Sequence, residues 1–221
     1  PVVVAAYAAI RVQQQSLMAE QVIAWVEKTP TNEFLIDEIL ERYPQARFLH
    51  ILRDPRSIIA AMQTMDSQRE RQLFNLEQTC RDMARSFQVA LSQRQTHPER
   101  YYVLKYEDTI LHPQRMMQQV ATFLSIEYHD SLIAPTVGSK PMVANSAWAE
   151  TRTAGVLHNK SLDRWKETLD ADTLKPIARV VGHTAQQFGY DIPEPLAGRA
   201  RRMVAAALPH RVTKVLRALK A

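Results

Sequence analysis

The stretch "EKTPTNEFLIDEILERYPQARFLHILRDPRSIIAAM", residues 27–62, decides the fold class. Leu35, Ile36, Ile39, Leu40 and Tyr43 carry a helical period. Thr29 supplies an N-cap ahead of it, Pro30 a first-turn proline, and Pro44 stops it. "ARFLHIL" then reads as a strand, apolar enough to lie inside a sheet covered on both faces. "RDPR" turns the chain straight into another helix, with Pro55 near its start.

Working outward, "QVIAWVEK" is a short β-rich run that reads as a strand ending at Lys28. Residues 1–20 suggest a helix, with Tyr7, Ile10, Leu17 and Met18 at loosely periodic positions. Downstream, the long segment 66–96 sets Leu73, Leu76, Cys80, Met83, Phe87 and Ala90 at spacings of three and four. That is a buried stripe on an otherwise charged helix, and its role is core packing. "YYVLKYED" is a third strand, followed by a helix from about Pro113 to Leu124. Residues 129–160 are irregular, and two or three helices finish the chain. Strands alternating with helices give βαβ units, a parallel sheet, and ligands beyond the carboxyl ends of the strands. The chain divides into an α/β domain over residues 1–195 and a basic amphipathic helical tail over 196–221.

Composition narrows the classes. The 221 residues are 46% hydrophobic and 23% charged, enough for one globular core. A lone cysteine, Cys80, excludes an internal disulfide, and a reducing, cytoplasmic setting is the simplest expectation. No apolar run reaches the ~18 residues a membrane span needs. The net charge of +5 points towards an anionic ligand, an acidic lipid surface or a solvated basic face. The histidines are scattered without metal-ligand spacing, so no metal is expected, and His50 inside its strand reads as a satisfied core residue.

Position then singles out particular cations. Lys28, Arg53 and Tyr106 each stand at the end of an expected strand, where side chains converge on one ligand. At "RDPR" the helix start adds unpaired N–H groups and partial positive charge. Arginine suits phosphate there, because its planar fork bonds two oxygens at once. The competing reading is a helix cap in which Asp54 pairs with one of the two arginines, Arg53 or Arg56. Ser57, in the first turn, is a further candidate donor.

"EKTP", "ARFLHILRDPRSIIAAM", "YYVLKYEDTILHPQRMMQQVATFLSI" and "SLDRWKETL" together resemble the sulfotransferase family, in the same order over roughly residues 22–170. The resemblance implies a P-loop-like parallel sheet flanked by helices. It implies 3′-phosphoadenosine 5′-phosphosulfate as sulfuryl donor, without a metal. Arg53 would bind the 3′-phosphate, and Tyr106 would lie against the nucleotide. Lys28 resembles the transfer-site lysine of the polysaccharide and tyrosyl-protein branches. The loop "HNKSLDRW" makes His158, Asn159 and Lys160 candidate phosphate contacts.

Two departures accompany the likeness. Family members usually carry a serine eight residues after the phosphate arginine, where this chain has Ala61. No glycine-, serine- and threonine-containing loop of the kind that holds a 5′-phosphosulfate occurs in the chain, and a family member would place it before residue 1. The amino-terminal strand and loop are therefore expected to be missing. The expected activity is in-line transfer of a sulfuryl group to a hydroxyl or amine of a small-molecule, carbohydrate, lipid or peptide acceptor. The alternative is a non-catalytic module that binds a nucleotide or an anionic membrane, the latter through peripheral contact of the basic tail. Nucleic acid is not an expected partner, since aromatic residues are not interleaved with the basic ones.

Overall fold

The computed structural model describes residues 24, 26–69, 74–137, 140–142 and 154–193. The expected helix over 1–20 and the tail over 196–221 lie outside the described residues, as does Leu73. Among the described residues, a short 3₁₀ turn at Asn32–Phe34 leads into α1 (Ile36–Arg42). Then follow β1 (Phe48–Leu52), α2 (Pro55–Arg69), α3 (Leu76–Thr96), β2 (Tyr101–Lys105), α4 (Tyr106–Leu111) and α5 (Pro113–Leu124). A two-residue hairpin, β3 (Thr136–Val137) with β4 (Lys140–Pro141), precedes α6 (Trp165–Thr168), α7 (Ala171–Val180) and α8 (Gly182–Gln186).

β1 and β2 pair in parallel, from Phe48 opposite Tyr101 to Leu52 opposite Lys105. Two helices, α2 and α3, form the crossover that parallel pairing requires. Alternation along the strands sorts the side chains. Leu52 and Val103 turn to one face, against the α3 stripe of Cys80, Met83, Phe87 and Ala90 and against Ile177, Ala178 and Val181 of α7 and its end. His50 shares that face. Its Nδ1 meets the Tyr101 hydroxyl and its Nε2 the Ser86 hydroxyl at 3.0 Å, as expected of a satisfied core histidine. Burial lowers its pKa and keeps the ring neutral. On the other face, Tyr102 and Leu104 pack against Met116, Val120 and Leu124 of α5. The architecture is α/β, with helices on both faces of a parallel sheet.

Four expectations need correction. Residues 26–28 are not a strand. Val26 is 84% exposed, and the Glu27 carboxylate instead accepts from the Thr29 hydroxyl and the Asn32 amide, which folds the segment on itself. Thr29 therefore caps no helix, and the chain passes through Thr31 in the left-handed region (φ 84°) before α1 begins at Ile36. Among the described residues β1 is covered on one face only, because α5 lies over β2 and leaves Leu49 and Ile51 exposed, Ile51 by 60%. The segment 66–96 is not one helix either: α2 is described as far as Arg69, and α3 starts afresh where the Asn75 side chain accepts from the Gln78 N–H at 2.8 Å.

Phe87 meets the rings of Phe188 and Tyr190 edge-on, with centroids 5.7 and 5.9 Å away. Phe87 is fully buried at the junction of α3, α7 and the segment after α8. Phe87→Ala is expected to lower the unfolding free energy by about 3–5 kcal/mol. Urea denaturation followed by circular dichroism checks this, and a loss below about 1 kcal/mol would contradict the packing described.

Candidate functional site at the carboxyl ends of β1 and β2

The sheet register builds the site. Leu52 stands opposite Lys105, so the next residues along the two strands, Arg53 and Tyr106, emerge side by side. The Arg53 guanidinium carbon lies 4.5 Å from the centroid of the Tyr106 ring, a cation–π contact. One step further, the Asp54 N–H donates to Glu107 Oε1 at 2.9 Å. Two turns, one after each strand, are thereby locked together at the sheet's carboxyl edge.

The segment 158–162 closes over this edge from about a hundred residues away. Arg53 Nη2 donates to the Ser161 carbonyl at 3.4 Å, and the Ser57 hydroxyl to the Leu162 carbonyl at 2.8 Å. Ser57 is fully buried, and through that bond its hydroxyl tethers the segment. Asn159 and Lys160 are exposed on the same segment, while His158 is half-buried.

Two buried nitrogens there lack a hydrogen-bond partner: Nε of Arg53 and Nε2 of His158. A buried polar atom left unpaired costs about 1–3 kcal/mol, and native chains rarely tolerate it without a reason. A phosphate oxygen is the partner that a guanidinium N–H calls for. The residues present therefore fit an anion on this edge.

The two arginines of "RDPR" take opposite roles. Arg56 forks onto the Asp54 carboxylate, with Nη2 2.7 Å from Oδ2, and its guanidinium lies 3.9 Å from the Trp165 ring centroid. That is the helix-cap reading, realised by Arg56. Arg53 makes no ion pair with Asp54. Tyr190, which the sequence did not single out, belongs to the site as well, because its hydroxyl donates to Glu107 Oε2 at 2.7 Å. Nothing in the local pattern "FGYDIP" signals that partnership.

Lys28 is exposed in the segment ahead of α1, and no hydrogen bond or ion pair ties it to Arg53 or Tyr106. Ala61 belongs to the cluster in which Ala60 of α2 packs with Met65, Trp165 and Leu169. No cluster of metal-ligating side chains occurs among the described residues. None of their helices is long and apolar enough to cross a membrane.

Comparison with known proteins fits this arrangement. The profile of the sulfotransferase family matches residues 3–130, more than half of the chain. The chain belongs to the sulfotransferase family. It is 23% identical over 176 residues to a Caenorhabditis briggsae protein described as a "Putative protein-tyrosine sulfotransferase", covering 74% of this chain and 59% of that protein. Two solved structures share the fold. The sulfotransferase domain from the curacin biosynthetic pathway superposes with a TM-score of 0.53 at 24% identity, over 76% of this chain and 63% of that one. The sulfotransferase domain of the Synechococcus PCC 7002 olefin synthase gives 0.58 at 18% identity, over 86% and 65%. The chain thus spans about three fifths of the length of these relatives. The profile match ends before residue 158 and does not reach the closing segment, which meets Arg53 and Ser57 through its backbone carbonyls.

Removing the Ser57 hydroxyl leaves the Leu162 carbonyl without its donor. Ser57→Ala is expected to destabilise the fold by about 1–3 kcal/mol and to speed tryptic cleavage after the exposed Lys160. Limited proteolysis followed by mass spectrometry checks this, and an unchanged cleavage rate would show that the tether does not hold the segment.

Proposed function

We propose that this chain is the nucleotide-binding part of a sulfotransferase that takes its sulfuryl group from 3′-phosphoadenosine 5′-phosphosulfate. The observation that carries the reading is Arg53: half-buried, stacked on Tyr106, with a buried Nε that no protein group engages. In this reading Arg53 holds the 3′-phosphate and the Tyr106 ring bears on the nucleotide. His158, with its own unpartnered nitrogen, adds a donor from the closing segment, and Asn159 and Lys160 flank it. Membership of the sulfotransferase family supports the choice of donor, because Arg53 and Tyr106 lie within the matched region.

The donor supplies an activated sulfuryl group for in-line displacement by a hydroxyl or amine. Charge builds on the oxygen bridging to the nucleotide as the bond to sulfur breaks, and a cation beside that oxygen favours the transition state over the ground state. The likeness of "EKTP" assigns that role to Lys28. The assignment rests on sequence alone, whereas the phosphate-binding half rests on residues in mutual contact. Glu107 and Asp108 are not offered as bases. Glu107 is engaged by two donors, which fits ordering of the turn rather than proton abstraction.

Isothermal titration with adenosine 3′,5′-bisphosphate and with adenosine 5′-monophosphate tests the proposal. The bisphosphate is expected to bind more tightly, and Arg53→Ala to weaken it by ~10- to 100-fold, as the loss of charge-assisted hydrogen bonds implies. Monophosphate binding should change little. Equal affinity of the unaltered chain for the two nucleotides would refute the reading.

A further inference from the structure

A ring of hydrogen bonds behind Arg53 ties its turn to the last described segment. Glu107 accepts the Asp54 N–H on one oxygen and the Tyr190 hydroxyl on the other. The Asp54 carboxylate accepts from the Arg56 backbone N–H at 2.8 Å and from its guanidinium. Arg56 Nη1 in turn donates to the carbonyl of Asp191, next to Tyr190, at 3.0 Å, and the ring closes. Asp54 and Tyr190 are both buried. Burial and the neighbouring Glu107 carboxylate push the Tyr190 phenol above its ordinary range, so it stays a donor.

The Asp54 N–H belongs to the peptide that joins it to Arg53. It precedes α2, so no helical carbonyl accepts it, and Glu107 does. Peptide planarity means that anchoring this N–H also fixes the plane from which the Arg53 side chain departs. We propose that Glu107, steadied by Tyr190, is a positioning residue for Arg53: it sets the angle at which the guanidinium meets the 3′-phosphate without touching the nucleotide. The proposal rests on Arg53 being the 3′-phosphate ligand. A carboxylate suits the task because it accepts two donors at once and bonds each more strongly than a neutral amide does.

A general brace and a positioning residue differ in what they change. Loosening a brace weakens every nucleotide alike, whereas a misaimed Arg53 affects only the ligand that carries a 3′-phosphate. The test is titration of Glu107→Gln and Tyr190→Phe with adenosine 3′,5′-bisphosphate and adenosine 5′-monophosphate, with urea unfolding in parallel. Both variants are expected to lose ~5- to 20-fold in bisphosphate affinity, in line with one weakened charge-assisted hydrogen bond, at unchanged monophosphate affinity. Should Glu107→Gln fail to fold, Tyr190→Phe decides alone, since phenylalanine keeps the buried ring. Folded variants that retain the bisphosphate preference, or weaken both nucleotides equally, overturn the inference and leave the proposed function standing. An unaltered chain without the preference fails the proposed function itself.

Discussion

The parallel register between β1 and β2 is the constraint on which the rest of the structure depends. Pairing Phe48 with Tyr101 fixes every later neighbour, so Arg53 meets Tyr106 and Asp54 meets Glu107 without any further specification. A slip of one residue would swap the faces of all the side chains on one strand. Leu52 would leave the α3 core, and Arg53 would lose its ring. The apolar contacts that hold the register and the polar contacts that make the site are therefore one set of geometry. The site is as stable as the sheet, and no more.

The "RDPR" turn shows why charge alone does not identify a ligand. Two arginines flank one aspartate, and simple counting leaves one positive charge over. Which one is decided by direction. Arg56 lies in the first turn of α2, within reach of the Asp54 carboxylate two residues back, and Trp165 covers it. Arg53 still belongs to the strand end and leans over Tyr106 instead. The ordinary expectation of a capped helix is met by Arg56, which leaves Arg53 as the arginine proposed to bind an anion.

Much of the scaffold was legible in the sequence. The α3 stripe from Cys80 to Ala90 is buried as its spacing demands, and α5 runs from Pro113 to Leu124, the bounds that its proline and its last apolar residue suggest. The strand read into "QVIAWVEK" was misleading at residues 26–28, because β-branched and aromatic composition reports only that a segment suits a sheet. A strand also needs a hydrogen-bonding neighbour, and the local pull of Glu27 on Thr29 and Asn32 prevails where the described residues provide none. Burial of β1 on both faces failed for a related reason. The apolar run "FLHIL" fits either face, while the position of α5 over β2 decides which one is covered.

The closing segment was the least legible part, and the reason is chemical. Ser161 and Leu162 enter the site through their backbone carbonyls, which every residue has, so no side-chain pattern marks them. Tyr190 is hidden in a similar way, since a buried tyrosine near a chain's end reads as core until its hydroxyl is seen to meet a carboxylate more than eighty residues earlier. The sequence announces the residues that touch a ligand by their charge, but the groups that hold them in place are largely backbone or neutral. A site of this kind is half visible in any sequence: its cations can be named, while the frame that aims them emerges only once strand register and long-range hydrogen bonds are in view.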